Sequence, residues 1–183
     1  MGTANNIIPR MDHQHQPANT AERLSMALFY VQQGLHILPL APRSKTPHYP
    51  LLPKDSQGKA IWTPYAEKPP TAAEVERWFE IEPALNIGII TKGMTVVDYD
   101  RIPEGFDITA HTPIAKTARG YHVYYSQQGQ PRNFAHGEVK TGPGCYVVAP
   151  PSTHDKTGKM YEWTKHPTDI PFLPFTDCQL ELE

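Results

Sequence analysis

Apolar residues recur along the first part of the chain at about every third or fourth position, which is the pattern of amphipathic helices. A first helix is predicted from Thr20, as its N-cap, to about Gln33, and Gly34 would end it. Thr71 would cap a second helix. The apolar positions that define the helices are Leu24, Leu28 and Val31 in the first and Val75, Trp78 and Phe79 in the second.

Short apolar runs separated by turn residues make up most of the remaining chain, and such runs indicate β-strands. Turns at Lys92-Gly93, at Arg119-Gly120 and at 142–144 predict that the strands around each turn form a hairpin. Helices followed by hairpins indicate an α+β fold with antiparallel pairing. The predicted strands are 35–40, 86–91, 94–98, 113–117, 121–126, 139–140, 145–149 and 160–163.

The length of 183 residues is enough for one domain with a core and too short for two. Residues 1–19 are polar and without periodicity, which predicts a disordered leader, so that 20–183 would form a single domain. The 20 prolines favour irregular connections, above all a long loop at 41–70. His154 lies in loop-like sequence and is expected to be solvated.

Charge and cysteine content narrow the class of protein. Lys plus Arg number 17 against 19 acidic residues, a net charge of −2, which argues against a surface coated with DNA-binding charge but not against a local basic track. No apolar run approaches the roughly 20 residues of a membrane span, and the N-terminus lacks the apolar part of a secretory signal. Cys145 and Cys178 cannot by themselves form a disulfide framework or a zinc ribbon. These features predict a cytoplasmic protein with no zinc and no membrane partner.

The candidate chemistry begins where an apolar run ends in V-V-D-Y-D, with Asp98 and Asp100 two residues apart. In a strand such residues point to the same face, so four carboxylate oxygens would lie side by side. Two close carboxylates repel each other unless a cation or proton lies between them, and Mg²⁺ or Mn²⁺ is the natural occupant. An Asx turn that closes the strand is the alternative reading of this motif.

Two more residues extend this pattern. His122 begins a strand in T-A-R-G-Y-H, and Glu138 stands in G-E-V-K before a glycine-rich turn. Three carboxylates with a histidine nearby are the ligand inventory of a two-metal site for phosphoryl transfer. An isolated histidine is more often a buried residue that bonds to the backbone, and that reading stays open for His122.

In order and spacing, these motifs resemble the bifunctional primase/polymerase (Prim-Pol) domain of the archaeo-eukaryotic primase superfamily. The resemblance runs over about residues 24–180. It rests on Gly34 with Pro39-Leu40, K-T-P at 45–47, Trp78, N-I-G-I-I-T-K-G at 86–93, V-V-D-Y-D, T-A-R-G-Y-H, G-E-V-K, Y-V-V-A-P-P-S at 146–152, Gly158 and Y-E-W at 161–163.

The resemblance implies an RRM-like antiparallel sheet that carries the catalytic carboxylates and packs against an N-terminal α/β unit. It implies a DNA primase or DNA polymerase, a template-directed nucleotidyltransferase that uses two divalent ions, Mg²⁺ or Mn²⁺. Its partners would be a single-stranded DNA template, a primer and NTPs or dNTPs, with a replicative helicase as a further candidate. Asp98, Asp100 and Glu138 would hold the metal, and His122 would contact the nucleotide phosphates, so that all four would be catalytic.

Four further residues are candidates for nucleotide binding. Arg119 and Lys140 flank His122 and Glu138 in sequence, so either could reach phosphate. Lys45, in the K-x-P element, could bind phosphate or be a solvated loop lysine. Ser152 could bond a sugar or phosphate, or its hydroxyl could stabilise a turn.

Departures from the family pattern leave other functions open. The segment between Asp100 and Pro113 is short where relatives commonly insert a helix, Tyr121 replaces a frequent glycine, and a zinc element and a helicase segment are missing. The chain could therefore be a stand-alone enzyme or a fragment of a longer replication protein. The alternatives are a nucleotide or primer-template binding module with weak or no catalysis, a template-independent terminal transferase and a D-x-D glycosyltransferase.

Overall fold

The computed structural model describes residues 18–100, 102–103 and 108–176. Its helices are α1 (Thr20–Gln32), α2 (Thr63–Glu67) and α3 (Ala72–Ile81), with a 3₁₀ turn at Tyr49–Leu51. Its strands are β1 (Ile37–Leu40), β2 (Asn86–Ile90), β3 (Met94–Tyr99), β4 (Ile114–Lys116), β5 (Tyr121–Ser126), β6 (Arg132–Phe134), β7 (Gly137–Thr141), β8 (Tyr146–Ala149) and β9 (Glu162–Lys165). None of the described helices has the length and apolar character that crossing a membrane requires.

The strands form two sheets. A three-stranded sheet has the order β1-β2-β8, and a six-stranded sheet has the order β6-β7-β3-β5-β4-β9. Every pair of neighbouring named strands is antiparallel. The predicted α+β class with antiparallel pairing is therefore confirmed.

Two of the three predicted hairpins are wrong. β2 and β3 follow each other across Lys92-Gly93 but belong to different sheets, and so do β7 and β8 across 142–144. The connections β2–β3 and β7–β8, which both run between the sheets, are held together by hydrogen bonds from Thr91 to the backbone of Gly142 and Cys145. Turn residues signal a change of direction but not which strand will be the partner. The third hairpin, β4 and β5 around Arg119-Gly120, is confirmed.

The helix ends follow the capping chemistry of the sequence with one shift. The N-cap of α1 is Asn19, not Thr20, because Asn19 and Glu22 form a reciprocal capping box. Gly34 follows the C-cap with a φ of 73°, as predicted. Thr71 caps α3 with Glu74, also as predicted.

The loop predicted at 41–70 contains α2 and the 3₁₀ turn. The short strand β6 was not predicted. Of the predicted leader, residues 1–17 lie outside the described residues, while Ala18 is buried and its N–H donates to Met160 Sδ. The last strand begins two residues later than expected.

The six-stranded sheet has an apolar core on each face. Val96, Ala115 and Tyr124 lie on the first face and pack into the larger core, which includes residues of α1, α3 and the small sheet. Residues of alternate positions, such as Val97 and Val123, lie on the second face in a smaller core. Alternation along β3 places Asp98 on the first face, two residues beyond the buried Val96. The end of β3 is therefore where the larger core gives way to polar residues.

Two glycines allow close approach of the backbone at that end. A Cβ atom at Gly120 would overlap the carbonyl group of Tyr99, and one at Gly137 would overlap the carbonyl group of Asp98. Neither site has room for a side chain, because the obstacle is the backbone of β3. The two glycines thus let the chain pass close on both sides of the strand that carries the acids.

We expect Gly137→Ala to destabilise the fold by about 1–3 kcal/mol, the usual cost of forcing an extra methyl group into a packed site. Urea denaturation would measure the loss. Gly144→Ala is the matched control, since a Cβ there meets nothing within 4 Å; it should change the free energy of unfolding by no more than about 0.5 kcal/mol. Equal effects of the two substitutions would contradict the close approach at Gly137.

Candidate active site

The register of three adjacent strands places His122, Asp98 and Glu138 in one row. Asp98 on the central β3 lies directly opposite His122 on β5 and directly opposite Glu138 on β7. Residues that face each other across antiparallel strands point to the same side, with Cβ atoms about 4.5–5.5 Å apart. Three of the predicted site residues, distant in sequence, are thus brought together on the first face of the large sheet.

Lys140 joins the two acids of this row. It lies two residues after Glu138 on β7 and so shares its face. The ammonium group of Lys140 forms an ion pair with Glu138 Oε1 and lies 3.7 Å from Asp98 Oδ2. The side chains of Asp98 and Lys140 are only 14% and 20% exposed, so water screens this contact only in part. Two carboxylates therefore converge on one cation.

His122 lies on the other side of Asp98. Its Nε2 atom is 3.4 Å from Asp98 Oδ1, an ion pair when the imidazole is protonated, and its Nδ1 atom is 3.4 Å from the Tyr124 hydroxyl. The ring is buried and lies beside the ring of Tyr161, with centroids 5.7 Å apart. His122 is therefore a buried residue whose ring lies beside the side chains of Asp98 and Tyr124, and its contact with nucleotide phosphates stays a prediction.

The electrostatic environment keeps Asp98 ionised. Burial alone would raise the pKa of Asp98, but the charge and hydrogen bond of His122 and the charges of Lys140 and Lys45 outweigh burial and hold that pKa below its usual value. Lys45 itself is exposed, in the loop that follows β1. Because the charge of Lys45 lowers the pKa of Asp98, this loop adds positive charge near the acids.

Asp100 lies one residue beyond the end of β3. Its backbone N–H donates to the carbonyl of His136, and its Oδ1 atom is 3.1 Å from Arg119 Nη2. Arg119 stands in the turn between β4 and β5 and is 63% exposed, so this ion pair contributes little to stability. The pair does hold the second carboxylate and a guanidinium at the same end of β3 as Asp98.

Ser152 is not available to a nucleotide in this structure. The residue is fully buried, and its hydroxyl accepts a hydrogen bond from the Ile87 N–H at 2.8 Å and donates to the Ile87 carbonyl. The hydroxyl therefore joins the segment after β8 to the backbone of β2, and not to its own turn as the sequence also allowed.

Tyr161 and His154 were not among the predicted site residues. The ring of Tyr161 lies between those of His122 and His154, at 5.7 Å and 6.2 Å between centroids. Burial, followed by the charges of Asp98 and Asp155, raises the pKa of Tyr161 well above its ordinary value. His154 is buried, so the expectation that it is solvated is wrong. The Y-E-W motif at 161–163 was the available signal for Tyr161, but an aromatic residue in a strand is usually read as core.

The acidic residues fit a divalent cation in part. Within the described ranges, no cluster of three or more His, Cys, Asp or Glu side chains has the geometry of a metal site. Asp98 and Glu138 nevertheless reach one common cation, the Lys140 ammonium, and carboxylate oxygens are the ligands that Mg²⁺ and Mn²⁺ prefer. The carboxylate of Asp100 is turned toward Arg119. Two carboxylates thus share one cation, the Lys140 ammonium, and the third, two residues after Asp98 in sequence, pairs with Arg119.

The comparison with protein families agrees with the motifs. The family model described as "Bifunctional DNA primase/polymerase, N-terminal" (Prim-Pol) matches residues 27–176, which is most of the chain and includes all of the row described above. The chain belongs to this family, and the family indicates DNA primase/polymerase activity, with DNA and nucleotides as substrates. No curated protein matches the chain.

The lowered pKa of Asp98 predicts a specific loss of stability in acid. A group whose folded pKa lies below its unfolded value of about 3.9 stabilises the protein above that pH, and the contribution is lost as the pH falls through the folded value. The free energy of unfolding, measured from pH 7 to pH 3, should therefore fall more steeply below about pH 4 in the wild type than in Asp98→Asn. Glu76→Gln, at an exposed position of α3, is the control and should follow the wild-type curve. Parallel curves for Asp98→Asn and the wild type would contradict the prediction.

Proposed function

We propose that the protein is a template-directed nucleotidyltransferase that uses two divalent ions, Mg²⁺ or Mn²⁺. It would join NTPs or dNTPs on a single-stranded DNA template, either by extending a primer or by starting a new strand. The observation that carries the proposal is the convergence of the Asp98 and Glu138 carboxylates on one cation position, with Asp100 at the same end of β3. The family assignment supplies the substrates, which are DNA and nucleotides.

Asp98, Asp100 and Glu138 would hold the metal ions. When bound, these ions would neutralise charge on the triphosphate and lower the pKa of the attacking hydroxyl. The protein's own part is positional: β3 and β7 keep two carboxylates at fixed separation, so that the primer 3′-hydroxyl (or that of an initiating nucleotide) can attack the α-phosphate. The bond from the α-phosphate to the bridging oxygen then breaks, and pyrophosphate leaves.

Basic side chains around the acids would receive the triphosphate. His122 lies beside Asp98 and offers an imidazole N–H that can offset phosphate charge without competing for a hard metal ion. Arg119 and Lys45 are exposed cations at the edge of the acid row and are suited to phosphate oxygens. The positive charge that binds substrate is therefore local, which is compatible with a net charge of −2.

Further features of the proposal follow from the family. Residues 20–183 would act as one domain, with the large sheet as an RRM-like platform and the small sheet with α1 and α3 as the N-terminal α/β unit. Template contact would combine a basic groove with stacked aromatic rings. A primer and a replicative helicase would be the macromolecular partners, in the cytoplasm.

A binding module with weak or no catalysis is the competing function. The incomplete convergence of Asp100 on the other two acids favours it, because a metal centre needs all three ligands together. The presence of all three acids near the end of β3 weighs against it, since binding alone does not require them.

The double substitution Asp98→Ala with Asp100→Ala should abolish nucleotide incorporation. Loss of two direct ligands should exceed the roughly 10–100-fold that removal of an outer-shell partner costs. Labelled dNTPs or NTPs, Mn²⁺ or Mg²⁺ and single-stranded template, with and without a primer, would report both extension and priming.

The exposed substitution Asp169→Ala is the matched control and should leave incorporation unchanged. Circular dichroism would show that the double variant is folded. Undiminished extension by the folded double variant would refute the metal assignment. A wild-type protein that binds nucleotide but never incorporates it would establish the binding module instead.

We expect His122→Ala to raise the KM for the nucleotide about tenfold, the equivalent of one charge-assisted hydrogen bond to phosphate. Because the ring is buried against Tyr124 and Tyr161, thermal stability should fall as well, and kinetics should be measured below the unfolding range. His111→Ala, at an exposed position, is the control for both measurements. If KM and kcat are unchanged while stability falls, His122 has only a structural role.

A further inference from the structure

Each acid of the proposed site is paired with a basic side chain of the same site. Lys140 contacts both Glu138 and Asp98, His122 contacts Asp98 from the other side, and Arg119 contacts Asp100. The basic partners come from β7, β5 and the turn before β5, which are the elements that flank β3. The positions that a metal would take are therefore already neutralised by side chains of the protein.

Lys140 occupies the central position in this arrangement. Its ammonium lies between two carboxylates that would otherwise repel each other across adjacent strands. The ammonium is in direct contact with Glu138 Oε1 and lies 3.7 Å from Asp98 Oδ2, so it balances the charge of both acids at once. In the absence of another cation, Lys140 thus satisfies the acid pair.

A divalent ion and the Lys140 ammonium cannot share this position. Two cations in contact with the same two carboxylates would lie within a few ångströms of each other at a site that is only partly open to water, where repulsion is poorly screened. The ammonium can leave more easily than the acids, because it ends a flexible four-carbon chain, whereas the carboxylates end shorter side chains on the paired strands β3 and β7. Metal binding therefore requires Lys140 to move.

We propose that Lys140 is exchanged for the metal and then pairs with the phosphates of the incoming nucleotide. This inference rests on the proposed function and deepens it, since it assigns an order to the events in that site. A metal that arrives alone must displace Lys140 without giving it a new partner. A metal that arrives with a triphosphate supplies the anion that the displaced ammonium needs.

Coupled binding of metal and nucleotide is the consequence. Because linkage is reciprocal, the nucleotide must tighten metal binding by the same factor by which the metal tightens nucleotide binding. Lys140 then has two effects: it opposes binding of the metal alone, and it favours the nucleotide–metal complex. A residue that only contacts phosphate would have the second effect without the first, so the two roles can be separated by experiment.

Mn²⁺ binding to the full chain without nucleotide tests the exchange directly. Electron paramagnetic resonance of free Mn²⁺ would be titrated against the wild type, Lys140→Met, Lys140→Arg and Lys92→Met. Lys92 is an exposed lysine before the opposite end of β3, so Lys92→Met makes the same change of charge away from the acids. The same titrations would be repeated with a non-hydrolysable dNTP analogue, corrected for the Mn²⁺ that the analogue binds alone.

Lys140→Met should bind Mn²⁺ alone several-fold more tightly than the wild type. Addition of the analogue should increase the Mn²⁺ affinity of Lys140→Met by a smaller factor than that of the wild type. The wild-type gain should fall within the range of about 5- to 150-fold that is usual for coupled sites. Lys140→Arg, which keeps the cation, and Lys92→Met should both bind Mn²⁺ alone as weakly as the wild type. Mn²⁺ binding by Lys140→Met that is equal to or weaker than wild-type binding would overturn the exchange.

Thermal unfolding keeps the test valid if Lys140→Met is less stable. Without Mn²⁺ its Tm should lie below that of the wild type, because the two carboxylates then face each other without a cation, and Mn²⁺ should raise its Tm by more than it raises the wild-type Tm. An equal Mn²⁺-induced rise in both proteins would count against the exchange. Nucleotide incorporation by the wild type, assayed separately, reports the proposed function. If incorporation is absent while the Lys140→Met difference persists, the proposed function fails and the exchange stands.

Discussion

The antiparallel register of β5, β3 and β7 is the constraint on which the site depends. It sets Asp98 opposite both His122 and Glu138, and a slip of one residue on either side would turn one partner to the other face of the sheet. The register is in turn specified by burial on both faces, since Val96 and Val97 belong to different cores. The apolar residues of β3 therefore position its acid, although none of them takes part in the proposed chemistry.

Charge in the site is balanced locally. A buried carboxylate is costly unless it is paired, and Asp98 has His122 on one side and Lys140 on the other. The pairing explains how acids can be held close together in a core-forming sheet before any metal is present. Two kinds of basic residue can therefore be distinguished. Lys140 is in direct contact with the acids, whereas Lys45 is exposed and acts on the pKa of Asp98 through its charge.

The sequence predicted the parts of the site that depend on local pattern. The strand that carries Asp98, the hairpin around Arg119-Gly120 and the caps at Thr71 and Gly34 all follow from neighbouring residues. The errors lie where the partner is distant. Turn signals near Lys92-Gly93 could not show that β2 pairs with β1 and β8. The position of Lys140 close to Glu138 in sequence could not show that its ammonium would reach Asp98 on the neighbouring strand. The assignment of site residues to catalysis and metal binding stays a prediction.

The chain passes between the two sheets at Thr91 and again before Cys145, so the sheets depend on each other for their completion. The small sheet contains β1 and β2 from the first half of the chain, but its third strand, β8, comes after β3 to β7 of the acid-bearing sheet, and β9 then returns to that larger sheet. The N-terminal unit is therefore completed by a segment that lies beyond Glu138 in sequence. Neither sheet is a separable module, and a shortened chain that stopped before β8 would leave one edge of β2 without its backbone partner.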